Sequence, residues 1–314
     1  MRALVTGAAG FIGGHLCRSL IDDGQEVVGL DSFTDFYDPA SKRTIAAALA
    51  GERFTLAEAD LNLVDLEALL DGVDTVFHLA GQPGVRGSWG SSFAQYTLAN
   101  IDATQRLLEA VRDHPSVRRL VYASSSSIYG NAETFPTLES TTPAPISPYG
   151  VTKLAGEQLC VLFASEFGVP TVALRYFTVY GPRQRPDMAF TRFIRAGLTG
   201  QTISVFGDGA QRREFTYVDD VVAATRLAGS SEIAVGSVFN VSGGSQASVA
   251  QTLELIASAV GRSLQIEHID RAAGDARETG GSTEAIRAAL GWTPTVSLET
   301  GIGRQVEWGR EVFG

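Results

Sequence analysis

Tyr149 and Lys153, in the run SPYGVTKLAGE, are the pair in this chain best suited to moving a proton. Only two lysines occur in 314 residues, Lys42 and Lys153, and arginine carries the rest of the side-chain positive charge. An ammonium is a compact point charge on a thin stem. It can lower the pKa of a neighbouring phenol and still donate to a cofactor ribose. Positions i and i+4 share one face of a helix, so both groups would point into one cleft. A tyrosine and a lysine meeting by chance on a solvated helix face have the same spacing, so the pair gains its meaning from its surroundings.

The first of these surroundings is Gly7-Ala8-Ala9-Gly10-Phe11-Ile12-Gly13, directly after a short apolar run. Glycines let a backbone turn tightly and approach a pyrophosphate, and a helix that starts here aims its N–H groups at that charge. The spacing is GxxGxxG, not GxGxxG, and an ordinary strand–helix turn is the alternative. Asp31 ends the second apolar run. A carboxylate there accepts from the adenosine ribose hydroxyls and repels a 2′-phosphate, which favours NAD over NADP. Asp60-Leu61, at the end of the third run, either holds the adenine edge or caps a helix.

These residues need strands and helices to position them. Apolar runs recur at 3–7, 26–31, 53–60, 74–81, 118–125 and 171–177, with helical patterns at 11–23, 63–70, 93–112 and 149–167. Such alternation with near-continuous apolar strands predicts an α/β chain, a Rossmann-type doubly wound parallel sheet covered on both faces. Ligands of such sheets bind at the carboxyl ends of the strands. After residue 177 Pro and Gly become frequent, and helical patterns follow at 248–260 and 283–290. The expectation is a cofactor domain over 1–177, with 213–230 returning to it, and a smaller α/β substrate domain over 178–212 and 231–314.

Composition narrows the partners. The chain is 44% hydrophobic, with a net charge of −10, which argues against a nucleic-acid or acidic-membrane surface. Cys17 and Cys160 lie in apolar helical patterns and read as thiols of a reducing compartment. No apolar run approaches a membrane span, and no export signal precedes the first strand, so a cytoplasmic protein is expected. His15, His78, His114 and His268 lack metal-ligand spacing, so no metal is expected, and His78 reads as a structural residue at a buried strand end.

With Gly7, Gly10 and Gly13 as GxxGxxG and Tyr149 and Lys153 as YxxxK, the chain resembles the extended short-chain dehydrogenase/reductase superfamily. HLAG (78–81), SSSSIYG (124–130), RREFTYVDD (212–220) and GDARETGGSTEAIRAALGW (274–292) are similar to its nucleotide-sugar epimerase/dehydratase branch. DSFTDFYDPASKR (31–43) and RYFTVYGPRQRPDMAF (175–190) are similar to the UDP-glucuronate 4-epimerases. The resemblance implies NAD as a resident cofactor, held by Gly7, Gly10, Phe11, Ile12, Gly13, Asp31, Asp60, Leu61, Ala80, Tyr149 and Lys153. It implies redox epimerisation at C4 of a UDP-sugar. Tyr149, as phenolate, takes the 4-hydroxyl proton while hydride leaves C4, and the flat 4-keto sugar then turns over and receives hydride on its other face. Lys153 and the nicotinamide cation draw the phenol's pKa down toward neutral pH. Ser125 matches the catalytic Ser/Thr that donates to the substrate oxygen.

Dehydratases and decarboxylases that resemble this chain carry acids just after that Ser/Thr, where Ser126 and Ser127 stand here. Neutral hydroxyls can instead donate to a C6 carboxylate without repulsion. Ser126, Ser127 and Thr178 are therefore expected to grip it. The 4-keto acid formed in the cycle loses CO2 readily, and holding its carboxylate in the plane of the developing enolate's framework slows that loss. Arg185, Arg213 and Arg277 match positions that face the nucleotide, with Asp275 orienting Arg277 or holding the uridine ribose, and surface arginines in an Arg-rich chain are the alternative; Arg86, after the fourth strand near the expected sugar pocket, either pairs with the substrate or braces its loop. The expected reaction is UDP-glucuronate to UDP-galacturonate. A UDP-glucose 4-epimerase is the nearest rival, and a decarboxylase or 4,6-dehydratase is further off. The resemblance also implies a homodimer through the helices at 93–112 and 149–167.

Overall fold

The apolar runs of the first half form strands because each is rich in Val, Leu, Phe or Tyr and bounded by Gly or polar residues. The computed structural model describes residues 1–314 except 245, 271–273 and 275, so Asp275 lies outside the described residues. Strands β1 (Arg2–Thr6), β2 (Glu26–Asp31), β3 (Phe54–Glu58), β4 (Thr75–His78), β5 (Arg119–Ser125) and β6 (Thr171–Tyr176) join a seventh, Ser237–Val241, in one sheet. All pairings in it are parallel, and the order is Ser237–Val241, β6, β5, β4, β1, β2, β3. Every residue of β4, β5 and β6 is buried, whereas β3 at the edge is not. Burying one such Val, Leu or Phe side chain is worth about 1.5–3 kcal/mol, so the central strands anchor the fold.

The helices are α1 (Phe11–Asp22), α2 (Pro39–Leu49), α3 (Leu66–Leu70), α4 (Phe93–Thr97), α5 (Ala103–Arg112), α6 (Pro148–Phe167), α7 (Ala189–Thr199) and α8 (Val218–Ser230). Chain order reverses between β1 and β4, which opens a crevice at their carboxyl ends, where ligands of such sheets bind. The helix expected over 93–112 is interrupted by a π turn at Leu98–Asp102. The segment at 31–43 carries a helix start that the sequence reading omits. Asp38 caps α2 and Pro39 occupies its first turn, a combination that favours initiation.

The expected domain limits need one correction. The sequence places 231–314 in the substrate unit, yet Ser237–Val241 pairs with β6 as the seventh strand of the sheet. Its neighbour α8 leans on α1, where Arg226 donates to Ser19 at 2.7 Å and pairs with Asp23. The remaining C-terminal structure is built of two-stranded pairings: strands Arg212–Glu214 with Gln246–Ser248, and Thr202–Phe206 with Gln265–Ile269. Helices Val249–Val260 and Leu298–Phe313 pack with α7 around a core that includes Phe193, Ile194 and Ile256.

Candidate active site

The glycine loop is an open cradle. Gly7 has φ +71, and a Cβ there would lie 2.9 Å from the Ala80 nitrogen. A Cβ on Gly13 would lie 2.1 Å from the Gly7 carbonyl oxygen, so only glycine lets the loop fold this tightly onto α1. Gly10 is the N-cap of α1 and supplies no side-chain cap, and no acid stands in the first turn. The first N–H groups of Phe11, Ile12 and Gly13 are thus left for an anion such as a pyrophosphate.

Asp31, 5% exposed at the end of β2, accepts from the Ala9 nitrogen at 3.1 Å and from the Phe33 nitrogen at 2.9 Å. It also pairs with Lys42 at 3.0 Å. Lys42, from α2, was missed in the sequence reading, although it is one of only two lysines and lies eleven residues after Asp31. Three protein donors occupy three of roughly four carboxylate lone-pair sites. The ammonium that takes one of them still has two hydrogens to offer nearby hydroxyls. Asp60 is not a helix cap, since Asp65 caps α3 by accepting from Glu67 and Ala68. Asp60 instead closes a turn on the Asn62 nitrogen at 2.8 Å, and Leu61 is buried beside it.

Tyr149 and Lys153 lie on α6 as expected, one turn apart, with Ser147 capping the helix through the Gly150 nitrogen at 3.1 Å. Lys153 is 7% exposed, and its Nζ lies 4.5 Å from the centroid of the Tyr122 ring. Burial lowers its pKa to about 8, opposed by Cys160 and Glu157. Burial also pushes the Tyr149 phenol up, and a hydrogen bond with Ser125 and the charge of Arg185 draw it back. Ser125 ends β5 and accepts from the Ser127 nitrogen at 3.1 Å, which leaves its hydroxyl hydrogen free to donate. Ser126 and Ser127 follow in a short 3-10 turn, Ser126–Ile128, which packs against the first turn of α6: a Cβ on Gly150 would lie 2.6 Å from the Ser127 carbonyl oxygen.

A hydrogen-bond chain that the sequence did not reveal ties the two halves of this crevice. The Ala80 nitrogen donates to Thr6 Oγ1 at 3.1 Å, and Thr6 meets His78 Nδ1 at 2.8 Å. His78 Nε2 meets Thr104 Oγ1 at 3.0 Å, and Thr104 donates to the Asn100 carbonyl at 2.8 Å. Because Thr104 spends its proton on Asn100, His78 carries its own on Nε2 and accepts on Nδ1. Burial and the Lys153 charge push the His78 pKa down to about 3, so the ring is neutral. Asn100, in the π turn, bonds Gln82 on both main-chain groups and donates to Thr152 at 2.9 Å; Thr152 in turn donates to the Tyr149 carbonyl. Such turns often mark functional sites.

The expected sugar-nucleotide groups divide. Arg86, Thr178 and Arg213 line one cleft, joined by Phe206, Gln211 and Arg192, which the sequence reading had not singled out. The Arg86 guanidinium stacks 3.9 Å above the Phe206 ring, and Arg213 donates to the carbonyls of Arg212 and Ala276. Arg185 does not line this cleft. It forms a forked pair with Asp187, both contacts at 2.9 Å, and faces the Phe36 ring at 5.9 Å. Arg277 is exposed, and its backbone nitrogen bonds Asn131.

The model of the NAD dependent epimerase/dehydratase family matches residues 3–242. The chain belongs to this family. A Bacillus subtilis protein named as an uncharacterized UDP-glucose epimerase is 43% identical, with 98% of both chains covered. A UDP-glucuronate 4-epimerase of Thermodesulfobacterium geofontis is 34% identical over 98% of this chain and 96% of its own. Among solved structures, a Bacillus cereus UDP-glucuronic acid 4-epimerase in complex with UDP-glucuronic acid and NAD superposes with a TM-score of 0.96. It is 40% identical and covers 99% of this chain and 100% of its own. In this family member the bare glycine cradle and the buried Asp31 fit the pyrophosphate and ribose of NAD.

Proposed function

We propose that the protein interconverts UDP-glucuronate and UDP-galacturonate by NAD-dependent epimerisation at C4. The observation that carries this reading is the turn after Ser125, in which Ser126 and Ser127 occupy the sequence positions where the similar dehydratases and decarboxylases carry an acid. The relatives named as UDP-glucuronate 4-epimerases support the same substrate.

NAD, when bound, supplies the reversible oxidation of C4. Tyr149 acts as the base for the 4-hydroxyl. Ser125 donates to the same oxygen and bridges it to the phenol. Lys153 keeps a positive charge beside the phenol and favours its ionised form. Ser126, Ser127 and Thr178 hold the C6 carboxylate, so that the C5–C6 bond stays near the plane of the keto group and CO2 is retained. Arg86, from the loop after β4, and Arg213, from the strand Arg212–Glu214, meet the diphosphate. Arg185, released from Asp187, reaches the substrate from the Tyr149 side. The enzyme acts in the cytoplasm, where its two free buried thiols stay reduced. It forms a homodimer through 93–112 and α6, where Leu98, Val151 and Leu162 are 48%, 47% and 49% exposed. Light scattering on a Leu162→Glu variant tests that assembly.

The deciding experiment is proton NMR of the purified protein with UDP-glucuronate and no added NAD. Growth of a UDP-galacturonate anomeric signal is expected. The name of the Bacillus subtilis relative favours a second reading, UDP-glucose 4-epimerisation. Silence with UDP-glucuronate and turnover of UDP-glucose would establish that reading and remove the carboxylate role from Ser126, Ser127 and Thr178.

A further inference from the structure

Lys153 has to keep an ammonium in a nearly water-free place, where burial favours the neutral amine. The group under it is Tyr122 of β5, itself 1% exposed, whose ring centroid lies 4.5 Å from Nζ. A ring face attracts a cation within about 6 Å, most strongly where water is excluded. The ring is fixed from both ends. A Cβ on Gly156 would lie 2.2 Å from the Tyr122 hydroxyl oxygen, so only a glycine in α6 admits it. Glycine inside a helix is unfavourable by propensity, and the chain accepts that one turn from Lys153. On the other flank the His78 ring lies 5.7 Å away, centroid to centroid.

The ionisable groups that act on or meet Lys153 are Glu157 and Cys160 of α6, Tyr122 of β5 and His78 of β4. Glu157 is the carboxylic side chain among them, and it is already engaged. Its carboxylate pairs with Arg175 of β6 at 2.7 Å and accepts from Ser124 at 2.5 Å. Arg175 thus shares the Glu157 carboxylate, which is not devoted to Lys153. The group directly beneath the ammonium is the aromatic face.

We propose that Tyr122 is a positioning residue whose ring face keeps the Lys153 ammonium protonated and aimed at the active-site cleft. The inference rests on Lys153 being the partner of Tyr149 in the proposed reaction. The two lysines of the chain make it directly readable. Protein labelled with 13Cε-lysine and purified with its own cofactor gives two signals, and Lys42→Arg assigns them. The Lys153 titration midpoint is then compared among the parent, Tyr122→Phe and Tyr122→Leu. Tyr122→Phe keeps the ring face and is expected to stay within about 0.3 pH unit of the parent, and Tyr122→Leu is expected to fall by about one unit, a tenfold change in protonation. The Lys42 signal, from the pair with Asp31, reports whether the domain is intact. If the leucine variant fails to fold, a ring-fluorinated phenylalanine at position 122 keeps the shape and weakens the ring face, and its midpoint is expected to fall. A fall in Tyr122→Phe as large as in Tyr122→Leu, or an unchanged midpoint in the leucine or the fluorinated protein, overturns the proposal. The readout is Lys153 itself, so failure of the epimerase assay and failure of this inference are separate results.

Discussion

The two sides of the crevice prepare for ligands in opposite ways. On the cofactor side the glycine loop stands ready: α1 begins at a glycine without a side-chain cap, and Gly7 and Gly13 leave bare backbone. On the sugar-nucleotide side the arginines already have protein partners. Arg185 is paired with Asp187, Arg86 lies on Phe206, and Arg213 holds the Ala276 carbonyl. The first arrangement binds without rearrangement and suits a resident cofactor. Under the proposed function the second exchanges protein contacts for substrate contacts, so part of the binding energy is spent and the substrate can leave.

The sharpest way to separate the two sides is to remove chemistry without touching either. Tyr149→Phe is expected to lower kcat by about 10³-fold, within the range of a lost general base. NAD content, measured after acid release, should stay at parent level. Breaking the cofactor side comes next. Gly13→Ala forces a methyl into the Gly7 carbonyl and is expected to cost about 3 kcal/mol in urea unfolding, with loss of bound NAD. Retention of full NAD occupancy would show that the cradle is not the binding element.

The substrate side predicts a smaller and divided effect. Arg185→Ala is expected to raise KM about tenfold, as loss of a charge-assisted hydrogen bond does. Asp187→Ala, which frees Arg185, should leave KM equal or lower it, and a rise as large as that of Arg185→Ala would mean the pair works only as a unit. The smallest effect concerns acid stability. The folded pKa of His78 is depressed from 6.5 to about 3, so its contribution is complete above pH 6.5 and is lost as pH falls toward 3. In unfolding curves, the difference between the parent and His78→Gln should shrink across that window by roughly 1.4 kcal/mol per pH unit at most. A constant difference would remove His78 from the acid response.

Legibility followed the same divide. The glycine loop, Asp31 and the Tyr149–Lys153 pair each occupy a few consecutive residues, and local geometry fixes what they can do. The arginines of 185–277 were legible as residue types but not as a group, because their meeting depends on short strands paired across long intervals. Arg86 and Phe206 come from opposite halves, and Arg185 turned out to face Phe36 instead of the cleft of Arg213. The return of Ser237–Val241 to the sheet was missed for a similar reason. A five-residue strand gives no sign of which neighbour will accept its hydrogen bonds.

By itself the sequence determined the doubly wound sheet, the glycine loop and the pairing of Tyr149 with Lys153 on one helix, since period, glycine spacing and the i, i+4 relation are properties of neighbouring residues. The tertiary structure alone decided what surrounds those groups. It brought Lys42 to Asp31, Tyr122 beneath Lys153 and the Thr6–His78–Thr104–Asn100 chain between the cofactor loop and α6. These are contacts across strands and helices far apart in the chain. Charge and polarity inside a protein depend on what packing brings near and on how much water it removes.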